Sequence, residues 1–331
     1  MLNIDLLNFK SSIILLLLLL VNILILSFRN NIARVFNIFD YPNNRKIHNS
    51  PTPLIGGICL FVTIITTLFL IFFESLISIN KFSIYLLFFI IFFIVGLWDD
   101  AKTLSPKIRT LIILATIIIL LFFENDFVVK KLIFISTNKE ISLGIFSYLF
   151  TIFCIFALYN ALNFIDGYNG CATSIIIFWT FILLVKNPNL LYLFILVSMI
   201  IIFSYNLSGK IFLGNSGTSL LSIFFSLSII NDYNTVETLF SDEILFILLF
   251  PGIDMIRVTF ERIKNGKKIY FADKTHFHHY LINNDIKYIW QSTLLLTIMP
   301  LILFYVVENI IFTIAIFLLV YCGLLLKLRV K

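Results

Sequence analysis

The sequence predicts an all-α membrane protein that crosses the bilayer many times. Hydrophobic residues make up 60% of its 331 residues and charged residues only 13%, and 38 residues are Phe, a composition that no water-surrounded surface carries. Unbroken apolar runs such as 13–20 favour helices, because the strands of a membrane barrel would alternate between apolar and polar side chains. The fold class therefore follows from composition and from run length.

The apolar runs define about eleven candidate membrane spans. A spanning helix needs about 20 mostly apolar residues, with a working range of about 17 to 25. The first run follows Lys10 as in a signal peptide, but it is long and no small-residue cleavage pattern follows it, so we expect it to remain as a helix. The predicted spans are 11–27, 54–73, 83–98, 108–123, 142–159, 171–186, 190–206, 211–230, 243–260, 290–307 and 309–326.

The basic residues predict the orientation, because Lys and Arg are retained in cytoplasmic loops. With the N-terminus periplasmic and the C-terminus cytoplasmic, 18 of the 24 Lys and Arg residues fall on the inside and 6 on the outside. Five polar motifs then share the cytoplasmic side. Polar groups at membrane depth are costly, so this gathering predicts an active site. The motifs occupy 40–53, 96–109, 160–170, 210–219 and 254–279.

The rest of the chain predicts one integral membrane domain over 1–331, with plain outer connectors and room for a small hairpin at 124–141. The net charge of +6 lies in short loops, where it favours orientation and contact with lipid or phosphate rather than nucleic acid. The four cysteines have no C-x-x-C spacing. Neither a disulfide nor a zinc site is indicated.

Two motifs carry carboxylates at the ends of spans. Asp99 and Asp100 are adjacent, so each raises the pKa of the other unless a cation compensates, and magnesium shared with substrate phosphates would do so. A solvated helix end is the plainer interpretation. Asn160, Asn163 and Asp166 share one helix face at i, i+3 spacing, before glycines that let a ligand approach the backbone. Polar contacts between helices would explain that face as well.

Two further motifs suggest phosphate binding. The 212–219 segment opens the eighth span, so its backbone amides and helix N-terminus could hold a phosphate, although a helix N-cap by Asn215 or Ser216 would explain it nearly as well. The first loop carries Arg45, Lys46 and His48 among three prolines. Such a basic cluster serves either as an anion pocket or as a topology signal in contact with lipid headgroups.

The longest cytoplasmic loop contains three of the four histidines of the chain, at 276, 278 and 279, after Asp273. A rare residue concentrated beside a membrane site favours ligand binding, through neutral imidazoles or through protonated partners for phosphate. The other candidate ligands bear oxygen, which suits magnesium better than zinc. Asp254, Arg257 and Glu261 share a face of the preceding span, where an ion pair is the plainer interpretation.

Together the motifs resemble the polyprenyl-phosphate N-acetylhexosamine-1-phosphate transferases, over nearly the whole chain and in the order of that family. The matching patterns are D-x-P-x-x-R-K-x-H-x-x-P-x-P at 40–53, the pair Asp99-Asp100, N-x-x-N-x-x-D-G at 160–167, F-x-G-x-x-G at 212–217 and H-x-H-H at 276–279. The interrupted histidine run points to the GlcNAc-type branch, which starts O-antigen or related surface glycans.

The resemblance implies a multi-pass enzyme of the bacterial inner membrane that transfers a HexNAc 1-phosphate from a UDP-N-acetylhexosamine to undecaprenyl phosphate and releases UMP. It implies a requirement for Mg²⁺, with Mn²⁺ as a substitute, and leaves a homodimer open. Two positions depart from the family pattern, where Asn169 and Asn215 each replace a carboxylate. The implied roles are catalytic for Asp99, Asp100, Asp166, His278 and His279; substrate-binding for Arg45, Lys46, His48, Asn160, Asn163, Gly214, Gly217, Asp273 and His276; and metal-binding for Asp166 and Asn215.

Several mechanistic alternatives remain open at this point. Direct attack by the lipid phosphate is favoured, because a phosphomonoester is mostly dianionic at neutral pH, and a covalent intermediate on Asp99 or Asp100 is the alternative. A transporter or flippase would also contain many helices with buried charge. The two asparagine substitutions also fit a catalytically impaired relative that only binds lipid phosphate.

Overall fold

The computed structural model describes residues 9–42, 48, 50–269 and 275–329, and this part of the chain is mostly helical. The predicted all-α fold is confirmed. The helices are α1 (Phe9–Ser27), α2 (Arg29–Phe36), α3 (Gly56–Phe73), α4 (Ile79–Ala101), α5 (Pro106–Phe123), α6 (Ser147–Ile165), α7 (Cys171–Lys186), α8 (Leu190–Leu207), α9 (Gly214–Asn231), α10 (Ser241–Lys264), α11 (Phe277–Asn283), α12 (Ile289–Val307) and α13 (Ile310–Arg329). Two strand pairs complete it: β1 (Phe39–Asp40) with β2 (Thr52–Pro53), and β3 (Lys131–Phe134) with β4 (Lys139–Ser142).

Each of the eleven predicted spans coincides with one of these helices. Within the described residues, 8 helices are long and apolar enough to cross a membrane by length and composition, which supports a multi-pass membrane protein. The other three are α7, with 16 residues, and the more polar α9 and α10. The count of eleven spans and the periplasmic N-terminus stay predictions.

Helix α9 lies at the centre of the bundle and packs against α3, α4 and α6. Nearly all of its residues are buried, on every face of the helix. Its serines and glycines lower its hydropathy, yet their small side chains let three neighbours approach closely at once. The contact with α4 is very close: a Cβ on Gly96 would lie 2.5 Å from the Cα of Ser216 and closer still to the carbonyl oxygen of Asn215.

We expect Gly96→Ala to destabilise the protein by about 1–3 kcal/mol or more, because the added methyl group meets backbone that cannot rotate away. Thermal unfolding in detergent measures this change. Gly252→Ala is the matched control, since Gly252 also lies within a long helix and a Cβ there meets nothing within 4 Å. The control should unfold at or above the wild-type temperature, because alanine favours helix. Equal unfolding temperatures for the two variants would contradict the close α4–α9 contact.

Polar contacts hold together the end of the bundle that carries β3 and β4. β3 and β4 pair antiparallel, which confirms the hairpin expected within 124–141. The backbone N–H of Ile133 donates to the hydroxyl of Tyr233 at 2.7 Å, and that hydroxyl donates to the carbonyl of Lys131 at 2.9 Å. The Lys186 ammonium lies 2.5 Å from the buried carboxylate of Glu243. This end therefore has specific structural contacts, and the expectation that the outer loops are plain connectors stays a prediction.

At the opposite end, backbone hydrogen bonds connect the first loop to the segment that leads into α9. The backbone N–H of Phe212 donates to the carbonyl of Pro53 at 2.9 Å, and those of Gly56 and Gly57 donate to the carbonyls of Phe212 and Leu213 at 3.1 and 3.0 Å. These bonds bring the first and fourth motifs together.

Helix α6 also contributes residues to this end of the bundle, because it extends past its predicted end at 159 to Ile165. Asn160 and Asn163 therefore lie in its last turns, and Asp166 is its C-terminal cap residue.

Candidate active site

All five motifs contribute to one cavity of about 470 Å³ at this end of the bundle. The gathering predicted from the sequence is therefore present in the structure. Its polar lining comes from all five motifs and from Asn206, which lies outside them. The motif residues are Asp40 and His48 of the first, Asp100 of the second, Asn163, Asp166, Tyr168 and Asn169 of the third, Asn215 and Thr218 of the fourth and His279 of the fifth.

Asp100 caps the N-terminus of α9. Its carboxylate accepts the backbone N–H of Asn215 at 2.7 Å and that of Ser216 at 2.9 Å, and it also accepts the hydroxyl of Ser216 at 2.8 Å. The anion at this helix N-terminus is therefore Asp100 itself. This corrects the expectation that these amides hold a substrate phosphate and that Asn215 or Ser216 provides the cap.

Asp99 faces a different neighbour and does not line the cavity. Its buried carboxylate accepts the guanidinium of Arg109 at 2.6 Å and the backbone N–H of Leu104 at 2.7 Å. These bonds close the turn between α4 and α5. The two adjacent carboxylates thus have separate surroundings, and only Asp100 is placed to act on a ligand in the cavity.

Asp166 enters the cavity without a compensating donor. No hydrogen bond reaches its carboxylate within the described part of the chain, whereas Asp40 and Asp100 contribute negative charge nearby. Burial, together with the charges of Asp100 and Asp40, raises the pKa of Asp166 to about 7. Burial and the neighbouring negative charges each disfavour the ionised carboxylate, and a bound cation would offset both effects.

Asn163 and Asn215 both line the cavity and are hydrogen-bonded to each other. The side-chain amide of Asn163 donates to the amide oxygen of Asn215 at 3.3 Å, which orients that oxygen. Asn160 lies one turn earlier and donates to the carbonyl of Phe156 at 2.8 Å. It does not line the cavity, so its predicted substrate contact has no support from the geometry.

The glycines of the fourth motif have two different functions. Gly214 lines the cavity with a φ of 78°, and a Cβ there would lie 2.7 Å from a carboxylate oxygen of Asp100, so the Asp100 cap requires a glycine. Gly217 instead packs against the side chain of Leu213 and the backbone of Gly57. Gly217 does not line the cavity, so its predicted substrate contact has no support from the geometry.

The three histidines of the fifth motif point in different directions. His279 lines the cavity. His278 is buried against Gly167, where a Cβ would collide with its ring, and its Nε2 has no hydrogen-bond partner among the described residues. Burial and the neighbouring His279 and His276 hold the pKa of His278 well below its usual range. His278 is therefore neutral at pH 7 and is no cationic partner for phosphate.

His276 faces away from the cavity, towards α10. Its Nδ1 lies 3.5 Å from a carboxylate oxygen of Asp254, its Nε2 lies 3.3 Å from the guanidinium of Arg262, and its ring edge meets Phe164. These contacts indicate that His276 holds the segment in place rather than binding substrate.

The first motif reaches the cavity through a hydrogen-bonded pair. His48 lies 2.9 Å from a carboxylate oxygen of Asp40 and 2.8 Å from the carbonyl of Ser50, with its ring against Phe212. The predicted substrate contacts of Arg45, Lys46 and Asp273 lie outside the described residues.

Asn206 was not singled out from the sequence. Its side-chain oxygen accepts the backbone N–H of Gly170 at 2.8 Å, and its amide donates to the carbonyl of Ile211 at 3.1 Å. It thereby ties the third motif to the fourth at the edge of the cavity. Its position just before the 210–219 motif, as a buried amide at the end of an apolar span, was the signal that could have identified it.

The donor set of the cavity fits a hard cation. No group of three His, Cys, Asp or Glu side chains placed to hold a metal occurs among the described residues. The cavity instead offers the carboxylates of Asp100 and Asp166 and the amide oxygen of Asn215. Mg²⁺ commonly binds through one or two carboxylates and takes its remaining ligands from substrate phosphates and water. The bare, partly buried Asp166 carboxylate is the observation that favours such an ion.

Comparison with known proteins agrees with the resemblance found in the motifs. The sequence model of glycosyl transferase family 4 matches residues 81–232, which include the second, third and fourth motifs. The relatives include the undecaprenyl-phosphate alpha-N-acetylglucosaminyl 1-phosphate transferase of Escherichia coli K12, 27% identical over 273 residues, which are 78% of this chain and 73% of the relative. The chain therefore resembles glycosyl transferase family 4 in the region that holds three of its five motifs.

Two further relatives have similar names and similar coverage. The probable undecaprenyl-phosphate N-acetylglucosaminyl 1-phosphate transferase of Bacillus subtilis is 29% identical over 270 residues, 76% of this chain and 71% of the relative. The corresponding Yersinia pestis transferase is 28% identical over 265 residues, with the same two shares. The cavity is therefore lined by motifs both inside and outside the matched 81–232 region.

Proposed function

We propose that this protein transfers a HexNAc 1-phosphate from a UDP-N-acetylhexosamine to undecaprenyl phosphate and releases UMP, at the cytoplasmic face of a bacterial inner membrane. The reaction would be the first membrane step of O-antigen or related surface glycan synthesis. The names of the relatives support the acceptor and the GlcNAc 1-phosphate group. The interrupted H-x-H-H motif supports the GlcNAc-type branch over the peptidoglycan branch.

The observation that carries the proposal is the acidic cavity at one end of the membrane helices. Asp40, Asp100 and Asp166 line it together, at the end of the long apolar helices α4 and α6. A lipid phosphate that arrives from the bilayer and a soluble nucleotide diphosphate would meet at such an end. Three carboxylates would repel both phosphates, so the arrangement suits phosphoryl chemistry that a divalent cation assists.

Mg²⁺ would be held by Asp166 and the amide oxygen of Asn215, with Asp100 beside them. When bound, such an ion neutralises diphosphate charge and assists departure of UMP. The chain supplies the orientation: Asn163 holds the Asn215 oxygen, and Asp100 holds the backbone of residues 215 and 216.

Direct attack by the lipid phosphate fits these surroundings better than an aspartyl intermediate. Both carboxylate oxygens of Asp100 accept hydrogen bonds from the start of α9, and the Asp99 carboxylate is occupied by Arg109 and Leu104. A carboxylate that accepts several hydrogen bonds is a weak nucleophile. The acceptor phosphate is already mostly dianionic at neutral pH, so the step requires alignment more than a strong base.

His279 and His48 are the described imidazoles that line the cavity. We assign them to contacts with phosphate or with the nucleotide sugar. His278 instead supports the loop at Gly167, because its ring occupies the space that a side chain at residue 167 would need.

A transporter or flippase is less consistent with this arrangement. Transporters commonly bind their substrates near the bilayer midplane, on broken helices. Here the carboxylates of the cavity lie at helix ends: Asp100 is one residue before the end of α4, and Asp166 directly follows α6.

The test is transfer by the purified protein. We expect UMP release and a lipid-linked sugar product with Mg²⁺, undecaprenyl phosphate and one member of a panel of UDP-N-acetylhexosamines, and no UMP when the lipid is left out. EDTA should abolish the reaction and Mn²⁺ should restore part of it. Asp166→Asn is the site control and should lower turnover by about 100-fold. Absence of UMP with every sugar, at any Mg²⁺ concentration, would contradict the proposal.

A further inference from the structure

Tyr321 of the last helix, α13, contacts the segment that carries the histidines. The hydroxyl of Tyr321 donates to a carboxylate oxygen of Asp254 at 2.7 Å and accepts the Nε–H of Arg257 at 2.8 Å. Arg257 also donates to the same carboxylate oxygen at 2.6 Å. All three side chains are largely buried. We call Asp254, Arg257 and Tyr321 the α10–α13 cluster.

The cluster bonds directly to the backbone that leads into α11. Arg257 donates to the carbonyl of Thr275 at 2.7 Å, and the backbone N–H of Phe277 donates to Asp254 at 3.4 Å. The oxygen of Asp254 that accepts this N–H is not the one bonded to Tyr321, and it lies 3.5 Å from Nδ1 of His276. Three consecutive residues, 275 to 277, are thus held by two side chains of α10.

Packing reinforces these bonds. The ring of Phe277 stacks on Tyr321 at 5.7 Å between centroids and meets Phe250 edge-on, also at 5.7 Å. Helix α11 has only seven residues, too few to be stable without tertiary contacts. The direction of α11, and with it the position of His279 in the cavity, therefore depends on contacts with α10 and α13.

We propose that Tyr321 and Arg257 are positioning residues that set His279 in the cavity through the α10–α13 cluster. Neither residue lines the cavity, so each acts through the backbone of residues 275–277. Glu261 extends the cluster, since Arg257 donates to it at 3.1 Å and Arg329 also binds it. The effect on turnover rests on the proposed function, whereas the effect on the order of α11 does not.

Tyr321→Phe is the informative variant, because it keeps the ring that stacks on Phe277 and removes only the hydroxyl. Tyr305→Phe is its matched control: the hydroxyl of Tyr305 also binds a buried carboxylate, that of Glu243, at the end of the bundle that carries β3 and β4. We expect turnover to fall about 10-fold in Tyr321→Phe, as a small displacement of a catalytic group would cause. It should stay within about twofold of wild type in Tyr305→Phe.

Hydrogen–deuterium exchange separates positioning from general stability. Amides of 275–283 should exchange at least about 10-fold faster in Tyr321→Phe and at the wild-type rate in Tyr305→Phe. Arg257→Lys should resemble Tyr321→Phe, because an ammonium cannot bridge the Tyr321 hydroxyl and the Thr275 carbonyl as a guanidinium does. Adding His279→Ala to Tyr321→Phe should lower turnover no further than His279→Ala alone.

Unchanged exchange over 275–283 in both Tyr321→Phe and Arg257→Lys would overturn the proposal, whatever the activity. Near wild-type turnover in Tyr321→Phe, or losses that add in full with His279→Ala, would overturn it as well. If no transfer is found for the wild-type protein, the proposed function fails, and the exchange result still decides whether the cluster positions α11.

Discussion

Asp100→Asn should lower sugar-phosphate transfer by about 100-fold or more, while the protein remains inserted in the membrane. The substitution removes a negative charge from the cavity and places an NH₂ group against either the backbone N–H of Asn215 or the donors of Ser216. The start of α9, and with it the Asn215 side chain, then loses its anchor. Steady-state turnover of purified protein measures the effect.

Asp99→Asn is the matched control, since it makes the same chemical change one residue earlier. It weakens the buried pair with Arg109, so we expect lower stability, by about 3 kcal/mol, which a lower unfolding temperature would report. Its folded fraction should keep turnover within about 10-fold of wild type, because Asp99 does not line the cavity. If Asp99→Asn is as inactive as Asp100→Asn, the separation of their roles is wrong.

Asn215→Asp should lower the Mg²⁺ concentration for half-maximal activity by about 10-fold, because an anionic ligand attracts a divalent cation more strongly than an amide oxygen does. The same variant should be less stable without Mg²⁺, since it adds a carboxylate to a cavity that already contains Asp40, Asp100 and Asp166. Unfolding temperature against Mg²⁺ concentration provides a readout that needs no activity.

Asn169→Asp is the control for charge alone. Asn169 also lines the cavity and also replaces a carboxylate of the family pattern, but it is not the assigned ligand. Its Mg²⁺ titration should shift less than that of Asn215→Asp. Asn215→Leu should remove activity or raise the Mg²⁺ requirement sharply. An unchanged titration in Asn215→Asp, together with full activity in Asn215→Leu, would show that residue 215 is no metal ligand.

Local sequence patterns were sufficient to predict the helices and to predict which motifs form the site. An apolar run of spanning length forms a helix whatever its neighbours are, because only internal hydrogen bonds satisfy its backbone in lipid. All eleven predicted spans accordingly coincide with helices. Short polar motifs between such runs lie at helix ends, and residues of all five motifs line one cavity.

The direction of each side chain within a motif was not available from the sequence. Successive residues of a helix point about 100° apart, so adjacent residues meet different neighbours. Asp99 therefore meets Arg109 while Asp100 caps α9, and His278 lies under Gly167 while His279 lines the cavity. Spacing in the chain assigns such residues to one motif, but only packing decides which of them reaches a ligand.

The sequence by itself determined the all-α membrane fold and the composition of a polar, cation-suited site, since both follow from transfer free energies and from the chemistry of individual side chains. Tertiary structure alone decided that the N-terminus of α9 binds Asp100, that Gly96 and Gly217 serve packing, and that Tyr321 of the last helix contacts the histidine segment. These are contacts between residues distant in the chain. Their geometry depends on how helices pack together, which no local pattern encodes.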